Sequence, residues 1–506
     1  MPVSVPRLVV SAPASGGGKT TVTCGLLRAF QRRGLRLQAC KCGPDYIDPL
    51  FHERVIGVPS RNLDLFVSSA EDVCRLLAGV PDGAVGATQP AGDPAGRASG
   101  PVDLTIVEGV MGYYDGVAVS DQASSWDLAR TTQSPTILVV DCRGRARSLA
   151  AEVLGFLRLR EPSCIRGIIL NRVSQMMYPQ LKALIEEETG VSVLGFLPRL
   201  DDCSLKSRHL GLVGADEVED LQARLDRLAD AMEQTVDLDG LLDLARMAPA
   251  LDPAPRQLDP VASPGCPVRI ALARDLAFCF YYADGLGTLE SLGAELVPFS
   301  PLTDGQLPAD IDGLYLGGGY PELHASQLEA NVSLRQQIAG QVAAGLPTVA
   351  ECGGFMYLQE SIEDMEGRPH QMVGLLPGRA YKTDHLRRFG YVTMEASKDG
   401  LLAEAGQTLR AHGLHYWDSE APGEDFHAQK PQSRRSWDCC VTTPTLYAGY
   451  PHLNFYSEPV AARRFVEACL HHRDARLAAS AGTRADSAAG SARPVAASPD
   501  TEGGAR

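Results

Sequence analysis

The stretch RLVVSAPASGGGKTTVTCGLLRAFQRR, residues 7–33, decides the fold of the first half of the chain. A short β-branched run leads straight into three glycines and a lysine, and a helical segment follows. Glycine backbones let several N–H groups converge on a phosphate, and Lys19 can reach the phosphate oxygens. The Thr20 hydroxyl, at the positive end of the helix, can bind Mg²⁺. This order of strand, loop and helix predicts a nucleoside-triphosphate site.

Short β-branched runs alternate with helical segments outward from this loop, and the pattern restarts in the second half. Uninterrupted apolar runs of this length are typical of buried strands in parallel sheets. The predicted strands are 7–12, 104–110, 136–141, 165–171, 268–273, 313–319 and 346–352, and the predicted helices are 20–33, 148–160 and 178–189. Each half is therefore expected to form an open α/β sheet.

Composition marks the boundaries between these halves. Residues 79–101 are rich in Gly, Ala and Pro and predict a surface excursion, while the proline-rich residues 248–267 predict an extended linker. The last residues are mostly Ala, Ser, Gly and charged side chains, which predicts disorder. We therefore expect domains at 1–247 and 268–472, joined by the linker and followed by a disordered tail at 473–506.

The net charge and the cysteines exclude several classes of protein. Lys and Arg number 47 against 62 Asp and Glu, and the resulting charge of −15 argues against a general nucleic-acid binder. No apolar run reaches the roughly 20 residues of a membrane span. The thirteen cysteines are scattered without a CxxC pair, which argues against a disulfide framework or a zinc ribbon. A reducing cytoplasm is the expected location.

Carboxylates in two later segments can complete a Mg·ATP site. Glu108, in VEGVMGYYDG, lies at the carboxyl end of a predicted strand, where ligands bind in open α/β sheets. The turn-rich segment KCGPDYIDPLFH, residues 41–52, adds Asp45 and Asp48. A magnesium–nucleotide site needs a hydroxyl and one or two carboxylates. Thr20, Glu108 and either of the two aspartates supply that set, so ATP and Mg²⁺ are the expected co-substrate and metal.

The second half contains a candidate nucleophile. In LPTVAECGGFMYL, residues 346–358, a strand, a sharp turn and a helix follow one another with Cys352 at the turn. That position exposes a nucleophile at a tight elbow, next to a helix N-terminus. The Gly353 N–H can form half of an oxyanion hole, and Gly318 or Gly319 of GGGYPE can supply the second donor.

A cysteine nucleophile also needs a base. His452 in GYPHLNF is the main candidate, and His412 and His415 of AHGLHYW are the alternatives. A cysteine with a distant histidine is the arrangement of a cysteine amidohydrolase. The second half is therefore predicted to release ammonia from an amide.

Taken together, these motifs resemble the cobyrinic acid a,c-diamide synthase family, in which a dethiobiotin-synthetase-like ATPase domain precedes a class I glutamine amidotransferase domain. The resemblance runs from about residue 7 to residue 470. Its most specific pieces are KCGPDYIDPLFH (41–52), RNLD (61–64), EGVMGYYDG (108–116), RHLGL (208–212), DLAFCFYYAD (275–284), LGGGYPEL (316–323) and AECGGFMYL (350–358). It implies a P-loop NTPase-like first domain and a flavodoxin-like second domain.

The resemblance also implies a role for individual residues. Those expected to carry catalysis are Cys352, His452, Gly353 and Gly318, with Asp45 and Tyr46 facing the substrate carboxylate. Those expected to bind the nucleotide are Gly16, Gly17, Gly18, Lys19, Thr20, Thr21 and Lys41, with Asn171 meeting the adenine. Those expected to hold Mg²⁺ are Thr20, Asp48 and Glu108.

Four positions depart from the pattern of the family. Ala12 and Ala350 stand where glycines are usual, in the phosphate loop and two residues before the nucleophile. Gly413 lies in AHGLHYW, where family members usually read GHEFHYS. Asn454 occupies the position two after His452 that a triad glutamate would take, and the family commonly works without that glutamate.

The function implied is amidation of the a and c acetates of cobyrinic acid with ATP and glutamine, through an acyl phosphate and a shielded ammonia path. Expected partners are the corrinoid, glutamine and ATP, without nucleic acid or membrane, and a homodimer stays open. Alternatives are the same chemistry on hydrogenobyrinic acid or nickel sirohydrochlorin, and a pseudoenzyme that only binds nucleotide. A partition-type ATPase switch would need a lysine where this chain has Ala14, five residues before Lys19.

Overall fold

The computed structural model describes residues 2–79, 102–200, 203, 215–262 and 265–490, with the side chains of 215–219 and 480–490 left aside. Most of the predicted surface excursion at 79–101 and the whole RHLGL segment lie outside the described residues. None of the helices in the described ranges has the length and apolarity to cross a bilayer.

The first half of the chain forms a seven-stranded parallel sheet in the order β3-β2-β4-β1-β5-β6-β7. Its strands are β1 (Arg7–Ser11), β2 (Leu37–Cys42), β3 (Ser60–Leu63), β4 (Leu104–Glu108), β5 (Thr136–Asp141), β6 (Ile165–Asn171) and β7 (Val193–Leu197). Its helices are α1 (Lys19–Arg32), α2 (Ile47–Phe51), α3 (Ala70–Ala78), α4 (Ser125–Thr131), α5 (Ser148–Arg158), α6 (Tyr178–Thr189), α7 (Ala215–Thr235) and α8 (Leu238–Arg246), and a π-helical turn covers His52–Ile56.

This strand order brings the predicted ATP-site segments to one edge of the sheet. β4 lies between β1 and β2, and all three strands are parallel, so their carboxyl ends meet. The glycine loop follows β1, Glu108 ends β4, and the GPDYID segment (43–48) follows β2. The sheet therefore assembles one site from three segments far apart in sequence.

The second half contains a six-stranded sheet in the order β18-β19-β11-β10-β8-β9, parallel except for the edge strand β18. Its strands are β8 (Val268–Ala273), β9 (Ala294–Phe299), β10 (Gly313–Leu316), β11 (Thr348–Glu351), β18 (Val441–Thr443) and β19 (Leu446–Gly449). Its helices are α9 (Ala283–Ser291), α10 (Ala325–Ala330), α11 (Val332–Ala343), α12 (Gly353–Leu358) and α13 (Pro459–Gly490), with a 3₁₀ turn at Pro321–His324. The five parallel strands follow the flavodoxin order, so the predicted fold class is confirmed.

A third sheet packs beside this domain, and the sequence analysis did not predict it. Its strands are β12 (Ser361–Glu363), β13 (Pro369–Gln371), β14 (Arg379–Ala396), β15 (Thr408–Ser419), β16 (Phe426–Gln429), β17 (Ser436–Cys439) and β20 (His452–Leu453). The long antiparallel pair β14–β15 forms its centre, with register shifts between Lys382 and Gly390. The polar, arginine-rich sequence of β14 hides this strand from a search for apolar runs.

The predicted strands of both parallel sheets are observed within a few residues of their predicted ends. The segments 136–141, 165–171 and 268–273 coincide with β5, β6 and β8. The tail differs from the prediction, because α13 continues through residues 473–490. Its alanine-rich sequence favours a helix, and Arg476 pairs with Asp312 at 2.8 Å. Residues 491–506 lie outside the described ranges, and the predicted domain limits stay a prediction.

The described part of the linker is extended and is bound to both halves. The Pro249 carbonyl accepts from the wholly buried Arg7 at 2.9 Å, and the Ala254 carbonyl accepts from Arg75 at 2.8 Å. Further along, Arg256 donates to the Tyr456 carbonyl at 2.6 Å. Arg256 also lies 3.7 Å from Asp72 of the first half, so this residue of the linker contacts both halves.

Candidate functional site

The phosphate loop is shaped by two close approaches. Gly18 caps α1 with φ +102°, and a Cβ there would collide with the Asn171 amide. A Cβ on Gly17 would lie 2.9 Å from the Cβ of Ala12. Because Ala12 already carries the methyl group that the family's glycine lacks, Gly17 must remain glycine to fit against it.

The Lys19 ammonium lies across this loop. It donates to the Ala14 carbonyl at 3.1 Å and to the Met111 carbonyl, which belongs to the segment after β4. Burial, followed by the nearby charge of Lys41, lowers the pKa of Lys19 to about 8. Gly16 has φ +76° at the exposed tip, and Thr21 lies half-buried on the first turn of α1. The predicted phosphate residues therefore share one loop.

The predicted metal ligands meet beneath the loop. The Thr20 hydroxyl donates to Glu108 Oε1 at 2.6 Å. Lys41 bridges the two carboxylates, with its Nζ 2.5 Å from Asp48 Oδ2 and 3.1 Å from Glu108 Oε1. His52 Nε2 lies 3.3 Å from Glu108 Oε2. All these groups except Thr20 are buried, so they form an ionic cluster within the protein.

The charges in this cluster shift one another. Burial alone would raise the pKa of Glu108, but Lys41 and His52 outweigh it and hold that pKa far below the usual range. Burial would lower the pKa of Lys41, yet the carboxylates of Asp48 and Glu108 raise it well above its ordinary value. Burial and the charge of Glu108 raise the pKa of Asp48. Lys41 therefore stays charged. Of the two carboxylates, Asp48 is the one whose charged form is disfavoured by the burial of both groups.

The donor set fits a magnesium ion that also binds phosphate. Thr20, Asp48 and Glu108 supply a hydroxyl and two carboxylates, and the buried Glu108 Oε2 accepts no hydrogen bond although His52 Nε2 lies 3.3 Å from it. Within the described ranges, no group of three or more His, Cys, Asp or Glu side chains is arranged to hold a metal. A metal bound here would take its other ligands from phosphate and water, as Mg²⁺ usually does. Asp45 lies apart, 3.9 Å from Lys41, with its Oδ1 accepting from the Ile47 N–H.

A cleft lies on the far side of the phosphate loop. Asn171 ends β6 and donates to the Gly17 carbonyl at 2.9 Å, and Arg172 donates to the Gly16 carbonyl at 3.1 Å. The cleft next to them has a volume of about 590 Å³ and is lined by arginines and apolar side chains, including Arg143, Arg145, Arg172, Met177 and Leu181. Asn171 thus contacts the loop directly, and its predicted contact with adenine stays a prediction.

The second candidate centre lies at the end of β11. Cys352 has φ +48° and ψ −102°, a strained conformation for a residue with a side chain. Its N–H donates to the Gly449 carbonyl at 2.8 Å, and the Gly354 N–H donates to the Gly317 carbonyl at 3.0 Å. A Cβ on Gly354 would collide with Leu316. The backbone is therefore fixed as the sharp elbow that the sequence predicts.

Glu351 connects this elbow to the predicted base. Its Oε1 accepts from the Leu453 N–H at 3.0 Å, and its Oε2 accepts from the Tyr315 hydroxyl at 3.1 Å. Glu351 directly precedes Cys352 in the chain, and Leu453 directly follows His452, so this hydrogen bond joins the two segments that contain them. The sequence analysis overlooked Glu351, although a carboxylate inside an apolar strand next to a nucleophile is a usable signal.

The titratable groups of this centre are held neutral. Burial raises the pKa of Glu351 to about 8, and burial followed by the charge of Glu322 raises the pKa of the Cys352 thiol. Burial, followed by the nearby charge of His415, lowers the pKa of His452 to about 3. Both ring nitrogens of His452 lack a hydrogen-bond partner. The histidine is thus available as a neutral base.

The two alternative histidines have other contacts. His415 stacks on Tyr450 with ring centroids 4.0 Å apart, and its Nδ1 lies 2.5 Å from the Trp417 carbonyl oxygen. His412 lies opposite His452 in the β15–β20 pair and packs edge-on against Tyr391. His452 keeps both ring nitrogens free, which favours it as the base over His415.

The glycine loop after β10 borders the same centre. The ring of His452 fills the space beside Gly318, so a Cβ at that position would collide with it. The Gly319 nitrogen lies 3.2 Å from the point where a Gly353 Cβ would be. Of the two predicted second oxyanion donors, Gly319 is therefore the one next to Gly353, and Gly318 makes room for the base.

Tyr46 connects the two centres. Its ring is stacked 5.1 Å from Phe280 and lies 4.6 Å from Tyr282 and 5.0 Å from His452. The residue is almost fully buried, so its ring takes part in an aromatic cluster of the second domain. Its predicted role toward the substrate carboxylate stays a prediction. The segment that contains Asp45 and Asp48 therefore also touches the predicted glutaminase base.

Two further departures have structural explanations. Asn454 Oδ1 accepts from the Tyr456 N–H at 3.1 Å, so this side chain caps its own turn instead of orienting His452. Ala350 is wholly buried within β11, paired with Leu316 on one side and Ala448 on the other.

Comparisons with known proteins agree with this two-part architecture. The family model for the CobQ/CobB/MinD/ParA nucleotide binding domain matches residues 8–213, and the model for the CobB/CobQ-like glutamine amidotransferase domain matches residues 269–460. The fold, the phosphate loop and the cysteine elbow thus define the class, a nucleotide-binding domain joined to a glutamine amidotransferase domain.

Curated relatives match nearly the whole chain. Proteins named cobyrinate a,c-diamide synthase from Listeria innocua, Thermoplasma volcanium and Caldanaerobacter subterraneus are 38%, 37% and 36% identical to it. They cover 90%, 94% and 91% of this chain, which in turn covers 97%, 99% and 98% of theirs. The chain belongs to the cobyrinate a,c-diamide synthase family. The predicted resemblance is confirmed, and so is the predicted enzyme class, an ATP-dependent amidating ligase.

Proposed function

We propose that this protein converts the a and c acetate carboxylates of cobyrinic acid into amides, using ATP and the ammonia it releases from glutamine. The observation that carries the proposal is the contact between the centres through Tyr46, whose ring lies 5.0 Å from that of His452. In the same segment, Asp48 lies 2.5 Å from Lys41 within the predicted magnesium site. A nitrogen donor and an activating site that adjoin in this way suit an amidation with transferred ammonia.

The glutaminase half uses Cys352 as nucleophile. Its sulfur attacks the side-chain amide carbon of glutamine while His452 accepts the thiol proton and passes it to the departing ammonia. The N–H groups of Gly353 and Gly319 stabilise the oxyanion. Water then hydrolyses the glutamyl thioester, releasing glutamate and regenerating the thiol. Because the thiol and imidazole are both neutral before glutamine binds, proton transfer must accompany the attack.

The first domain activates the carboxylate of the corrinoid. Lys19 and the glycine loop orient the triphosphate, and a carboxylate oxygen attacks the γ-phosphorus in line, releasing ADP. Thr20, Asp48 and Glu108 would hold Mg²⁺, which neutralises phosphate charge when bound. Ammonia then attacks the acyl phosphate carbon and displaces inorganic phosphate. The cleft beside Asn171 has space for the nucleoside part of ATP.

Ammonia must pass between the centres without forming ammonium. The ring of Tyr46, within the GPDYID segment, packs against His452, Phe280 and Tyr282, and Phe280 packs in turn against Tyr320. An apolar surrounding disfavours the charged ammonium ion. This cluster supports a shielded transfer, while the cytoplasmic location and a homodimeric state stay predictions.

The decisive experiment separates the two nitrogen sources. Purified protein is given ATP, cobyrinic acid and either glutamine or a high ammonium concentration, and the products are identified by mass. The wild-type chain is expected to add two amides with both sources. Cys352→Ala should lose glutamine-dependent amidation and keep the ammonium-dependent reaction.

Two results would contradict the proposal. Amidation by Cys352→Ala with glutamine would refute the nucleophile, and no amidation by the wild-type chain with either source would refute the substrate. Parallel assays with hydrogenobyrinic acid and nickel sirohydrochlorin distinguish the alternative tetrapyrroles. Lys19→Ala should abolish ADP release with both nitrogen sources, and retained turnover would refute the phosphate loop assignment.

A further inference from the structure

Cations gather around one indole ring on the third sheet. Arg388 of β14 lies 6.0 Å from the centroid of Trp437, and Lys430 and Arg435 lie 5.9 and 5.8 Å from it. Next to them the Phe389 side chain is 50% exposed. We call Arg388, Phe389, Lys430, Arg435 and Trp437 the cationic-aromatic patch.

The patch carries more positive than negative charge. Arg388 and its neighbour Arg387 share one carboxylate, that of Asp418, at 3.1 and 3.8 Å. No carboxylate among the described residues forms an ion pair with Lys430 or Arg435. Burial, followed by the charge of Arg435, lowers the pKa of Lys430 to about 8. The protein as a whole has a charge of −15, so this concentration of cations is local.

The backbone beneath the patch is built to hold this arrangement. β14 bulges at Arg388, which has φ +44°, and at Gly390, which has φ +96°. On the facing strand, a Cβ at Gly413 would lie 2.9 Å from the Arg388 carbonyl oxygen. A larger residue at position 413 would therefore push against the bulge. Gly413 is one of the four departures from the family pattern, and here it permits the local geometry.

The patch borders the contact between the two domains. Two residues beyond Phe389, the Tyr391 hydroxyl donates to Asp64 Oδ2 of the first domain at 3.0 Å and lies beside Gly43. Gly43 opens the GPDYID segment of the ATP site. On the other side, Gln432 contacts Ser120 at 3.2 Å, in the loop that follows β4. The patch therefore lies at the junction of the two domains, next to the segment that contains Asp48 of the predicted magnesium site.

We propose that the cationic-aromatic patch binds the ring and peripheral carboxylates of a polycarboxylate macrocycle while another carboxylate enters the ATP site. This inference rests on the proposed function and names the surface that its corrinoid substrate would use. Lys430 and Arg435 pair with side-chain carboxylates, and Trp437 and Phe389 cover an apolar part of the macrocycle.

Charge complementarity favours this occupant over the others. A macrocycle with acetate and propionate arms combines apolar area and several carboxylates, which matches the exposed ring and the surplus cations. Nucleic acid would need a basic face much longer than five residues.

The test is a titration of the intact protein with cobyrinic acid, followed by the change in tryptophan fluorescence and by calorimetry. Lys430→Gln/Arg435→Gln should weaken binding about tenfold or more, because two charge-assisted contacts are lost. Arg158→Gln is the control, since it removes an exposed arginine from the end of α5 in the first domain and should leave the Kd unchanged. Thermal melting verifies that each variant is folded.

Two further measurements identify the nature of the contact. Raising the salt concentration should weaken binding by the wild-type chain more than by the double variant, because screening acts on the removed cations. Phe389→Ala should weaken binding about threefold at every salt concentration, and it serves as a second variant if the double substitution fails to fold.

Each negative outcome has a separate meaning. If the wild-type chain binds and amidates cobyrinic acid but the double variant binds it equally well, the patch is refuted and the proposed function stands. If the wild-type chain neither binds nor amidates the corrinoid, the proposed function fails with it. A double variant with unchanged Kd but altered sedimentation would assign the patch to contacts between copies of the chain, which overturns the proposal.

Discussion

The two candidate centres both bury titratable side chains, but the first buries them as charges and the second as neutral groups. Around Glu108, the ammonium of Lys41 lies 2.5 Å from Asp48 and 3.1 Å from Glu108. Around Cys352, neither His452 nitrogen has a hydrogen-bond partner, and burial raises the pKa of Glu351 to about 8. Burial is equally complete in both places, so the presence or absence of an opposite charge decides the protonation state.

The difference corresponds to the chemistry proposed for each centre. Preorganised charges favour the binding of a triphosphate, because the site needs little reorganisation when the anion binds. In a glutaminase without bound substrate, a neutral thiol and a neutral imidazole are favoured because neither buries an unpaired charge. Four experiments test this contrast.

The largest effect is expected from Lys41→Met, which leaves two buried carboxylates without their cation. We expect the free energy of unfolding to fall by about 3 kcal/mol, or about 150-fold in the folding equilibrium constant. Chemical denaturation measures this change. Lys398→Met is the matched control, because its ion pair with Asp425 at 2.9 Å is partly exposed and should contribute less than about 1 kcal/mol. Equal losses in the two variants would contradict the contrast.

The next effect concerns Glu351. Glu351→Ala should lower glutaminase kcat about 100-fold, because the hydrogen bond to the Leu453 N–H no longer fixes the strand of His452. Ammonium-dependent amidation should be retained. Glu351→Gln resembles the protonated carboxyl and should remain active.

The pH profile tests whether Glu351 acts as a neutral group. Its pKa of about 8 means that the carboxyl is protonated below pH 8 and ionised above it. Glutaminase activity of the wild-type chain should therefore decline above pH 8, while Glu351→Gln should not show that decline. A Gln variant as inactive as the Ala variant would show that the carboxylate charge is needed.

A third experiment follows the reactivity of the nucleophile. Because burial raises the pKa of the Cys352 thiol, alkylation by iodoacetamide should accelerate about tenfold per pH unit between pH 7 and pH 9. Mass spectrometry of the peptide that contains Cys352 gives the rate, and Cys352→Ser provides the blank. A rate that is already constant at pH 7 would reveal a preformed thiolate and remove the contrast.

The smallest effect is expected at Lys19. Its pKa of about 8 means that the free ammonium loses its proton above pH 8, so phosphate binding should weaken as the pH rises. We expect the KM for ATP to increase about fourfold between pH 7 and pH 8.5. Lys19→Arg keeps its charge over this range, and its KM should stay constant. A parallel rise in both proteins would locate the titration elsewhere.

The sequence alone could predict the features that depend on local order. The β-branched runs at 136–141 and 268–273 coincide with strands, and GGGKTT and AECGG have the predicted loop and elbow geometry. These features follow from which residue types stand next to one another. The family could be recognised for the same reason.

Features that depend on distant contacts could not be predicted. Nothing near Tyr46 in the chain indicates that its ring packs against Phe280 and His452. Lys41 shows its bridging role only when β2 and β4 lie side by side. The patch around Trp437 is assembled from β14, β17 and the turn between β16 and β17. The polar pattern of β14 does not indicate a strand at all.

The linker has a practical consequence for anyone who wants to study the halves as two recombinant pieces. Pro249 and Ala254 are bonded to the first half, and Arg256 is bonded to the second. A split at the composition boundary after residue 247 would take one acceptor from the buried Arg7 guanidinium. A split at Pro255 would keep these three backbone contacts and would separate Arg256 from Asp72 of the first half, 3.7 Å away, so it is the less disruptive place to divide the gene.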